Sequence, residues 1–406
     1  MKRFFCCLKG EGSRQGEQAP PGQREPPHSP ENVNNENDDV DEAHPFGSNE
    51  FLNYARRNNI EPPDDRLPRN STQKNRQALS PLLLLKCGIT FPWTDIVAGT
   101  QDFSRENYLG QGNFGNVYRC DFPEFDKVGA AKVQKLGNAS AHKEFVAEIT
   151  VLEDANHPNV IQLLGKCFGK DHSVIVYEFM PKGSLDHHIY ANTKPGPGLP
   201  QEYAVLDWET RMSIAVGVAE ALNYLHGTLR VIHRDVKVAN VLLDENFVPK
   251  LTDFGLASQM VTGRYGGERQ IEISPIKGTP GCVAPETEES GLVSSKSDVY
   301  SYGIFLLTLF TGRKACDFRR PSDTWKIADW MKPVWSRQEN IPLVVDVALG
   351  PRYSRDGLVR LFETARRCIN VQARDRPPMS QVLPLVRYAA AQPLGKVSKM
   401  KRSRSR

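Results

Sequence analysis

Hydrophobic residues along the chain follow two different spacings. Apolar positions alternate around the Gly-rich stretch Gly110–Tyr118 and again over Val128–Val133, and a denser apolar run covers Val174–Phe179. Because successive side chains of a strand point to opposite faces, these stretches predict neighbouring strands. Pro181–Gly183 contains the residue types that end strands, so it predicts the end of the last one.

Helical spacing first appears at about His142–Asp154. Residues three, four and seven positions apart lie on one face of a helix. The residues that share this face are Phe145, Glu148, Ile149 and Leu152. Three of these four are apolar, so the spacing predicts a helix whose buried face carries one carboxylate.

The second half of the chain is predicted to be mainly helical. Asp207 suits the N-cap of a helix. The apolar stripe of that helix consists of Ile214, Val218, Leu222 and Leu225. The stretch Ser297–Thr311 is apolar nearly all round and is followed by Gly312, so it predicts a helix buried in the larger part of the protein.

The two ends lack such periodicity. Residues 1–88 contain repeated prolines and an acidic, Asn-rich run at Glu31–Glu42, and we expect them to form a tail. Leu82–Leu85 and Phe91–Trp93 begin the sustained hydrophobicity and are predicted to pack on the domain that follows. Residues 391–406 are predicted to form a second tail, with Lys396–Arg406 basic and serine-containing.

Composition narrows the class of protein. The chain has 406 residues, of which 39% are hydrophobic and 25% charged, with a formal net charge of +4. That charge is too small to indicate nucleic-acid binding by itself. The sequence contains neither the roughly 18-residue apolar run of a membrane span nor a secretory signal, so we expect a cytoplasmic protein.

The cysteines are too few and too scattered for a disulfide framework. Six of them lie outside the extreme N-terminus, with neither CxxC pairing nor the spacing of metal ligands: Cys87, Cys120, Cys167, Cys282, Cys316 and Cys368. Buried, reduced thiols are favoured over a zinc site.

A glycine-rich segment is the first candidate for chemistry. Gly110–Val117 reads GxGxxGxV, and glycines let backbone amides approach phosphate oxygens closely. The same pattern also occurs in dinucleotide-binding turns and simple hairpins. A dinucleotide-binding turn opens a helix and expects an acidic residue about 20 positions on. Here a strand-like stretch follows, and the residue at that distance is the basic Lys132.

Lys132 alone could be a surface lysine. Glu148 changes this interpretation because it lies on a helix face whose other members are apolar. A carboxylate on a buried face needs a cation, and Lys132 would satisfy it. The pairing would aim the ammonium group at the α- and β-phosphates of a nucleotide.

Two further segments identify a family. His233–Asn240 reads HRDVKVAN, and Asp253–Gly255 reads DFG. With the glycine-rich segment upstream, these motifs resemble those of the eukaryotic protein kinases. The resemblance implies an α+β, bilobal protein kinase fold over residues 104–390, with a small β-rich N-lobe at 104–179 and a larger helical C-lobe at 181–390.

The resemblance also implies the catalytic roles and the cofactors ATP and Mg²⁺. Asp235 would accept the proton of a protein substrate's hydroxyl group, and Lys237 would neutralise charge on the transferring phosphoryl group. Asn240 and Asp253 would hold Mg²⁺, for which hard oxygen ligands are suited. Lys237, two residues after the aspartate, is typical of the serine/threonine kinases.

The same resemblance defines a nucleotide pocket. Tyr177 would be the gatekeeper, the backbones of Glu178 and Met180 would bind adenine, and three apolar side chains would sandwich its ring. The ATP-binding positions are Leu109, Gly110, Gln111, Gly112, Asn113, Phe114, Gly115, Asn116, Val117, Ala130, Lys132, Glu178, Met180 and Leu242. The stacked spine of the family would consist of Leu152, Leu163, His233 and Phe254, anchored at Asp298.

Other segments look like the plant receptor-like and Pelle-type kinases. These are the tyrosine gatekeeper, the flank Phe91–Thr100, Ser297–Gly303 and Arg376–Ser380, with Arg376 expected to pair with Glu286. Because the sequence shows neither an ectodomain nor a membrane span, the resemblance is to the receptor-like cytoplasmic kinases. That class implies an upstream receptor kinase as a partner.

The activation loop is expected to run from Asp253 to Glu286. Ser274 matches the usual phosphorylation site of the family, and a phosphate there could pair with Arg234. Thr279 is a second candidate for phosphorylation, although contact with the substrate hydroxyl region is the favoured role.

Three features, at four positions, depart from the family pattern. Gly129 and Ala131 are smaller than the residues usual beside the strand lysine and predict a looser strand. Cys282 stands where the family mostly has tyrosine, so the resemblance does not predict the structure of the substrate-side loop (Gly278–Cys282). Lys2 stands where N-myristoylation requires glycine.

The N-terminus combines basic residues, aromatic residues and paired cysteines. This pattern predicts S-palmitoylation at Cys6 and Cys7 and attachment to the inner face of the plasma membrane, with two idle thiols in an untethered tail as the alternative. For the whole chain, the alternatives to an active kinase are a pseudokinase scaffold and a membrane adaptor. Both leave the complete set of catalytic residues unexplained.

Overall fold

The computed structural model describes residues 89–112, 115–135, 139–168, 172–190, 196–263 and 266–394. The predicted tail at 1–88 lies outside these residues, and so do residues 395–406 of the tail predicted over 391–406. So do the Leu82–Leu85 run and Cys87.

The N-lobe is a six-stranded sheet in the order β1-β5-β6-β4-β3-β2. Its strands are β1 (Ile89–Thr90), β2 (Tyr108–Gln111), β3 (Gly115–Phe122), β4 (Lys127–Lys135), β5 (Leu163–Phe168) and β6 (His172–Glu178). All neighbours are antiparallel except β1 and β5, which are parallel. The alternating apolar pattern therefore predicted β2, β3 and β4 correctly, and the denser apolar run predicted β6.

The flank before the motifs packs on this sheet, as predicted. Phe91 is buried, and its ring stacks on Phe122 with centroids 4.5 Å apart. The strand β1 was not predicted, because two residues show no periodicity. It pairs with β5 at Gly165, where a Cβ atom would come within 2.3 Å of the Ile89 carbonyl oxygen.

The expectation that Gly129 and Ala131 loosen their strand is wrong. Strand β4 pairs along its full length with β3 and β6. A Cβ atom at Gly129 would lie 2.9 Å from Cγ1 of Val176 and 3.2 Å from Cε2 of Phe122. Larger neighbours fill the space that the glycine leaves, so the strand is closely packed.

One long helix lies against the N-lobe sheet. This helix, α2 (Ala139–Asp154), begins three residues earlier than predicted. A shorter helix, α1 (Trp93–Gly99), forms most of the flank Phe91–Thr100. All four residues of the predicted face of α2 are buried: Phe145, Glu148, Ile149 and Leu152. The 3.6-residue spacing thus predicted the orientation of the helix, including its buried carboxylate.

The C-lobe is mainly helical. Its helices are α3 (Leu185–Ile189), α4 (Trp208–Tyr224), α5 (Pro285–Ser290), α6 (Ser295–Thr311), α7 (Ile327–Trp335), α8 (Arg355–Cys368) and α9 (Met379–Ala390). Short two- and three-residue strands accompany them: β7 (Val231–Ile232), β8 (Val241–Leu243), β9 (Pro249–Leu251), β10 (Ser258–Gln259), β11 (Val261–Thr262), β12 (Glu268–Arg269), β13 (Ile271–Glu272) and β14 (Leu292–Val293). Short 3₁₀ segments of the C-lobe lie at Val238–Asn240, Gln338–Val344, Val347–Leu349 and Ala373–Asp375, and a π turn lies at Leu225–Leu229. One further 3₁₀ segment, Pro123–Phe125, joins β3 to β4 in the N-lobe.

Both predicted helix boundaries in this lobe follow from local chemistry. The carboxylate of Asp207 accepts a hydrogen bond from the backbone N–H of Thr210 at 2.9 Å and caps α4. Gly312 ends α6 with φ at +67°, a conformation that favours glycine. Apart from its last residue and Lys296, α6 is buried, as its apolar composition predicted.

The activation segment Asp253–Glu286 is held by short strand pairs. Strand β10 pairs with β7, β11 with β12, and β13 with β14. Glu268 also accepts hydrogen bonds from the backbone and hydroxyl groups of Ser295 at the start of α6. These contacts hold the segment against β7, which precedes the catalytic loop (His233–Asn240), and against the start of α6.

Four of the five described cysteines are buried, as predicted. Cys120, Cys167, Cys282 and Cys368 are free and buried, and Cys316 is free and half-buried. The residues that the structure describes contain no group of three or more potential metal-ligating side chains of histidine, cysteine, aspartate or glutamate.

Candidate active site

Helix α6 positions the catalytic loop through one buried carboxylate. Asp298 accepts hydrogen bonds from the backbone N–H groups of His233 and Arg234, both at 2.7 Å, and from the His226 ring at 2.8 Å. Burial acts to raise the pKa of Asp298, but the His226 hydrogen bond and the neighbouring imidazoles lower it overall. Asp298 therefore fixes the loop backbone immediately before Asp235.

Asp235 lies at the centre of a hydrogen-bond network. Its Oδ2 atom accepts from Nζ of Lys237 at 2.6 Å and from Nδ2 of Asn240 at 3.0 Å. Its Oδ1 atom accepts from the Thr279 hydroxyl at 2.8 Å, and Lys237 also donates to that hydroxyl at 2.9 Å. Charge-assisted bonds of this kind hold the carboxylate in one orientation.

A second cluster lies at the junction of the sheet and α2. Nζ of Lys132 is 2.8 Å from Oε2 of Glu148 and 3.2 Å from Oδ1 of Asp253. Burial would lower the pKa of Lys132, but these carboxylates raise it well above its usual value. In the same way burial would raise the pKa of Asp253, and Lys132 lowers it. The predicted pair of Lys132 and Glu148 is formed.

The residues predicted to hold Mg²⁺ are adjacent. The backbone N–H of Thr252 donates to the carbonyl oxygen of Asn240 at 2.9 Å, which brings Asp253 beside Asn240. Nδ2 of Asn240 donates to Asp235, so the amide oxygen remains as its free acceptor group. An amide oxygen and a carboxylate are hard donors, and this pair fits the ligand preference of Mg²⁺.

The glycine-rich turn closes over Lys132. The N–H of Gly112 donates to the carbonyl oxygen of Gly115 at 2.8 Å, and a Cβ atom at Gly112 would be 3.8 Å from Cε of Lys132. A Cβ atom at Gly115 would collide with the Val133 carbonyl oxygen at 1.9 Å. Two predicted ATP-binding residues, Asn113 and Phe114, lie outside the described residues.

The other predicted ATP-binding residues come from both lobes. On the N-lobe sheet lie Leu109, Gly110, Gln111, Asn116, Val117 and Ala130. Leu242 lies in β8 of the C-lobe, Glu178 is the last residue of β6, and Met180 lies two residues after it. Among the described residues, the N–H of Met180 has no hydrogen-bond partner, whereas its carbonyl oxygen accepts from Gly183 at 3.0 Å.

The gatekeeper position is buried against α2. Tyr177 pairs with Ala130 across β6 and β4. Burial, together with the nearby Glu148 carboxylate, raises the pKa of Tyr177 well above its usual value. Its hydroxyl group is therefore neutral at all ordinary pH values.

The four predicted spine residues are all buried: Leu152, Leu163, His233 and Phe254. The rings of His233 and Phe254 meet edge to face with centroids 4.8 Å apart. The predicted pair at the far side of the C-lobe is also formed. Arg376 makes two hydrogen bonds to the Glu286 carboxylate, at 2.8 and 2.7 Å.

The substrate-side loop is packed in spite of its unusual cysteine. Cys282 is buried, and its carbonyl oxygen accepts a hydrogen bond from Ser301 at 2.8 Å. Burial raises the pKa of its thiol to about 12, with a further contribution from Asp235. Ser274 is exposed, whereas the Thr279 hydroxyl is bound to Asp235 and Lys237.

Sequence reasoning missed two contacts of this site. The hydrogen bond between His226 and Asp298 was not predicted. The ion pair between Lys277 and Glu144, in which Nζ lies 2.7 Å from Oε1, was not predicted either. A sign of the second contact was present in the sequence. Glu144 precedes Glu148 by four residues and therefore lies on the same buried face of α2, where it too needs a cation.

Comparisons with known proteins agree with this geometry. Residues 103–384 match the family model described as a protein kinase domain. The Arabidopsis thaliana protein "Probable serine/threonine-protein kinase PBL23" is 36% identical over 304 residues, which are 74% of this chain and 76% of that protein. "Serine/threonine-protein kinase PBS1" from the same organism is 36% identical over 330 residues, which are 79% of this chain and 70% of that protein.

Proposed function

This chain belongs to the protein kinase family and is a serine/threonine kinase similar to the plant receptor-like cytoplasmic kinases, and we propose that it transfers the γ-phosphate of Mg·ATP at the site around Asp235. One observation carries this proposal. The Asp235 carboxylate is oriented by Lys237, Asn240 and Thr279, next to the cluster that contains Lys132.

Each side chain has a role that follows from its position. Asp235 accepts the proton of the substrate hydroxyl and orients that hydroxyl for in-line attack. Lys237 places a positive charge where negative charge develops on the transferring group. The Thr279 hydroxyl is hydrogen-bonded to both Asp235 and Lys237 and holds the two side chains in fixed positions relative to each other. Lys132, held by Glu148, would contact the α- and β-phosphates of the nucleotide.

Asn240 and Asp253 are the residues that would hold Mg²⁺. When bound there, the ion would neutralise negative charge on the phosphates. The adenine ring would lie against the end of β6, where the N–H of Met180 is available as a donor. The turn from Gly110 to Val117 would cover the phosphates with backbone amides.

We expect the product to be phosphoserine and phosphothreonine. The purified chain is incubated with labelled Mg·ATP and a mixed protein substrate, and the labelled phosphoamino acids are separated after acid hydrolysis. Label confined to phosphotyrosine would contradict the hydroxyl preference that we assign to a site containing Lys237. Addition of excess EDTA should remove the activity, and restoring Mg²⁺ should recover it.

We also propose that phosphorylation at Ser274 activates the enzyme, with Thr279 as the second candidate. Ser274 is exposed in the activation segment, and Arg234 could bind a phosphate. Within the described residues, Nε of Arg234 is buried without a hydrogen-bond partner, while its Nη1 atom donates to Ser258 at 3.1 Å. Arg234 thus retains a donor for a phosphate oxygen.

Substitution of Ser274 by alanine should lower kcat by about tenfold, because one charge-assisted contact is lost. The comparison uses enzyme phosphorylated by its own activity, whose state is verified by mass spectrometry. Ser290→Ala is the matched control, since Ser290 is an exposed serine of the same lobe. Full activity of Ser274→Ala with an otherwise unphosphorylated activation segment would refute this proposal.

The cellular setting is likewise a proposal. We infer a cytoplasmic kinase that acts below an upstream receptor kinase, attached to the inner face of the plasma membrane through Cys6 and Cys7. Both cysteines lie outside the described residues. Within the described part of the chain, no helix is both long enough and apolar enough to span a bilayer.

If Cys6 and Cys7 are palmitoylated, replacing both by serine should move the protein from the membrane fraction to the supernatant. Two acyl chains give stable attachment, and a basic segment alone gives weak attachment. Replacement of Cys87, which lies away from the N-terminal basic segment, serves as the control. An unchanged distribution of the double variant between the two fractions would exclude this anchor.

A further inference from the structure

We propose that Lys277 is a positioning residue that ties the activation segment to α2. Through this tie, the substrate-side loop and the Lys132–Glu148 pair adopt together the positions that phosphotransfer requires. This inference rests on the proposed function, because its consequence is for phosphotransfer. The contacts of Lys277 described below are with Glu144 and Ser140 of α2.

The tie is a direct ion pair across two elements that are far apart in sequence. Nζ of Lys277 lies 2.7 Å from Oε1 of Glu144 and 2.5 Å from the hydroxyl oxygen of Ser140, both on α2. Ser140 in turn donates to Oε1 of Glu144 at 3.3 Å. Three polar groups, one from a loop and two from the first turns of a helix, are therefore hydrogen-bonded to one another.

Glu144 is a buried group. The residue is only 5% exposed, whereas the Lys277 side chain is 34% exposed. Burial raises the pKa of Glu144, and the hydrogen bond and charge of Lys277 act in the opposite direction. A buried carboxylate without its cation is strongly unfavourable, so Lys277 stabilises this position of the first turns of α2.

The position of Glu144 links the tie to the nucleotide site. Glu144 lies one helical turn before Glu148, which binds Lys132. A Cβ atom at Gly255, in the segment that follows Asp253, would be 3.2 Å from Cβ of Glu144. A rotation or shift of this part of α2 would therefore change both the Lys132–Glu148 pair and the backbone beside Asp253.

The position of Lys277 links the same tie to the substrate side. Thr279 is two residues further along the chain and bonds to Asp235 and Lys237. Gly278, between them, has φ at +151°, a conformation that restricts this step of the loop to glycine. A loop so constrained on one side by Thr279 transmits the position of Lys277 over a short distance.

Arg234 also interacts electrostatically with Glu144. Its guanidinium group, however, donates to the Ser258 hydroxyl at 3.1 Å, so it does not replace the contact of Lys277. The two cations approach the first turns of α2 from different parts of the C-lobe. Lys277 makes the direct hydrogen bonds.

The experiment compares kcat and KM for Mg·ATP in the full-length chain for Lys277→Met, Glu144→Gln and the double variant. Lys277→Met should lower kcat/KM by about tenfold or more, because it leaves the buried carboxylate unpaired. Glu144→Gln should cost less than about threefold, since Lys277 can turn to solvent. The double variant should recover to the level of Glu144→Gln, as removing both charges costs less than removing one.

Two further variants separate position from charge and from folding. Lys143→Met removes an exposed lysine of the same helix and should leave kcat/KM unchanged. Lys277→Arg keeps the charge and should retain most of the activity. If Lys277→Met does not fold, the recovery in the double variant and the retention in Lys277→Arg still decide the question.

Lys277→Met that equals Lys143→Met in an active enzyme would overturn the tie, and so would additive losses in the double variant. Amide hydrogen exchange over residues 139–154 gives a readout without catalysis. Lys277→Met should exchange faster there than the wild type, and equal exchange would also refute the tie. A wild type without phosphotransfer, by contrast, would refute the proposed function alone.

Discussion

Substitution of Asp235 by asparagine should lower kcat for phosphotransfer by about a thousandfold, the middle of the range typical of a lost general base. The amide of asparagine cannot accept the proton of the substrate hydroxyl. It does keep an oxygen that can accept hydrogen bonds from Lys237 or Thr279. The loss should therefore appear in kcat, while KM for Mg·ATP changes little.

The matched control is Asp356→Asn, which makes the same chemical change at an exposed position in the first turn of α8. Both variants and the wild type are assayed on one serine/threonine substrate under saturating Mg·ATP. Thermal unfolding of each should give a similar midpoint. Equal rates for Asp235→Asn and the wild type would show that Asp235 is not the base of this reaction.

This experiment also separates the kinase from the pseudokinase scaffold. A scaffold would bind its partners without transferring phosphate, and Asp235→Asn would then have no rate to change. The geometry favours the enzyme because the acceptor for the proton, the lysine beside it and both expected metal ligands are all brought together. A binding module has no need for Lys237 to share its hydrogen bonds between Asp235 and Thr279.

The sequence predicted those features whose cause is local or periodic. The buried face of α2 follows from apolar residues at helical spacing, and the same face implied a cation for Glu148. The ends of two helices follow from Asp207 and Gly312, whose side-chain chemistry and backbone freedom act within a few residues. Burial of α6 follows from its composition alone.

The catalytic loop could be found only through the resemblance. No periodicity indicates that Asp298 holds the backbone of His233 and Arg234, which precede it by more than sixty residues in the sequence. The family motifs supplied this anchor, but they did not supply His226. Spacing within an element predicts a face, whereas contacts between elements depend on the tertiary fold.

Two further failures have the same physical origin. The strand β1 pairs with β5 through two residues, too few to show a period of two. Gly129 was expected to loosen β4 because the prediction considered its own missing side chain and not the neighbours. Val176 and Phe122 occupy that space, and they come from two other strands.

The contact between Lys277 and Glu144 could not be predicted from a sequence motif. Lys277 lies in a loop, between a proline-containing stretch and the glycine of the substrate-side turn, so no pattern gives it a face. Its partner Glu144 is predictable as buried but its cation is not, because the two residues are 133 positions apart. The structure therefore adds a connection between two regions that the sequence describes separately.

Replacement of Lys132 by methionine should have two effects of different origin. Phosphotransfer should fall by about a hundredfold or more, because the phosphates lose the cation that positions them. The free energy of unfolding should also fall by about 3–5 kcal/mol, because Glu148 is fully buried and is left without its partner. The first effect is measured by kcat/KM for Mg·ATP and the second by chemical denaturation.

The double variant Lys132→Met/Glu148→Gln separates these effects. Removing the carboxylate charge relieves the unpaired buried group, so the free energy of unfolding should recover toward that of the wild type. Phosphotransfer should stay low, because no cation has been returned to the site. If activity recovered together with stability, Lys132 would serve the fold and not the phosphates, and the catalytic role that we assign to it would be wrong.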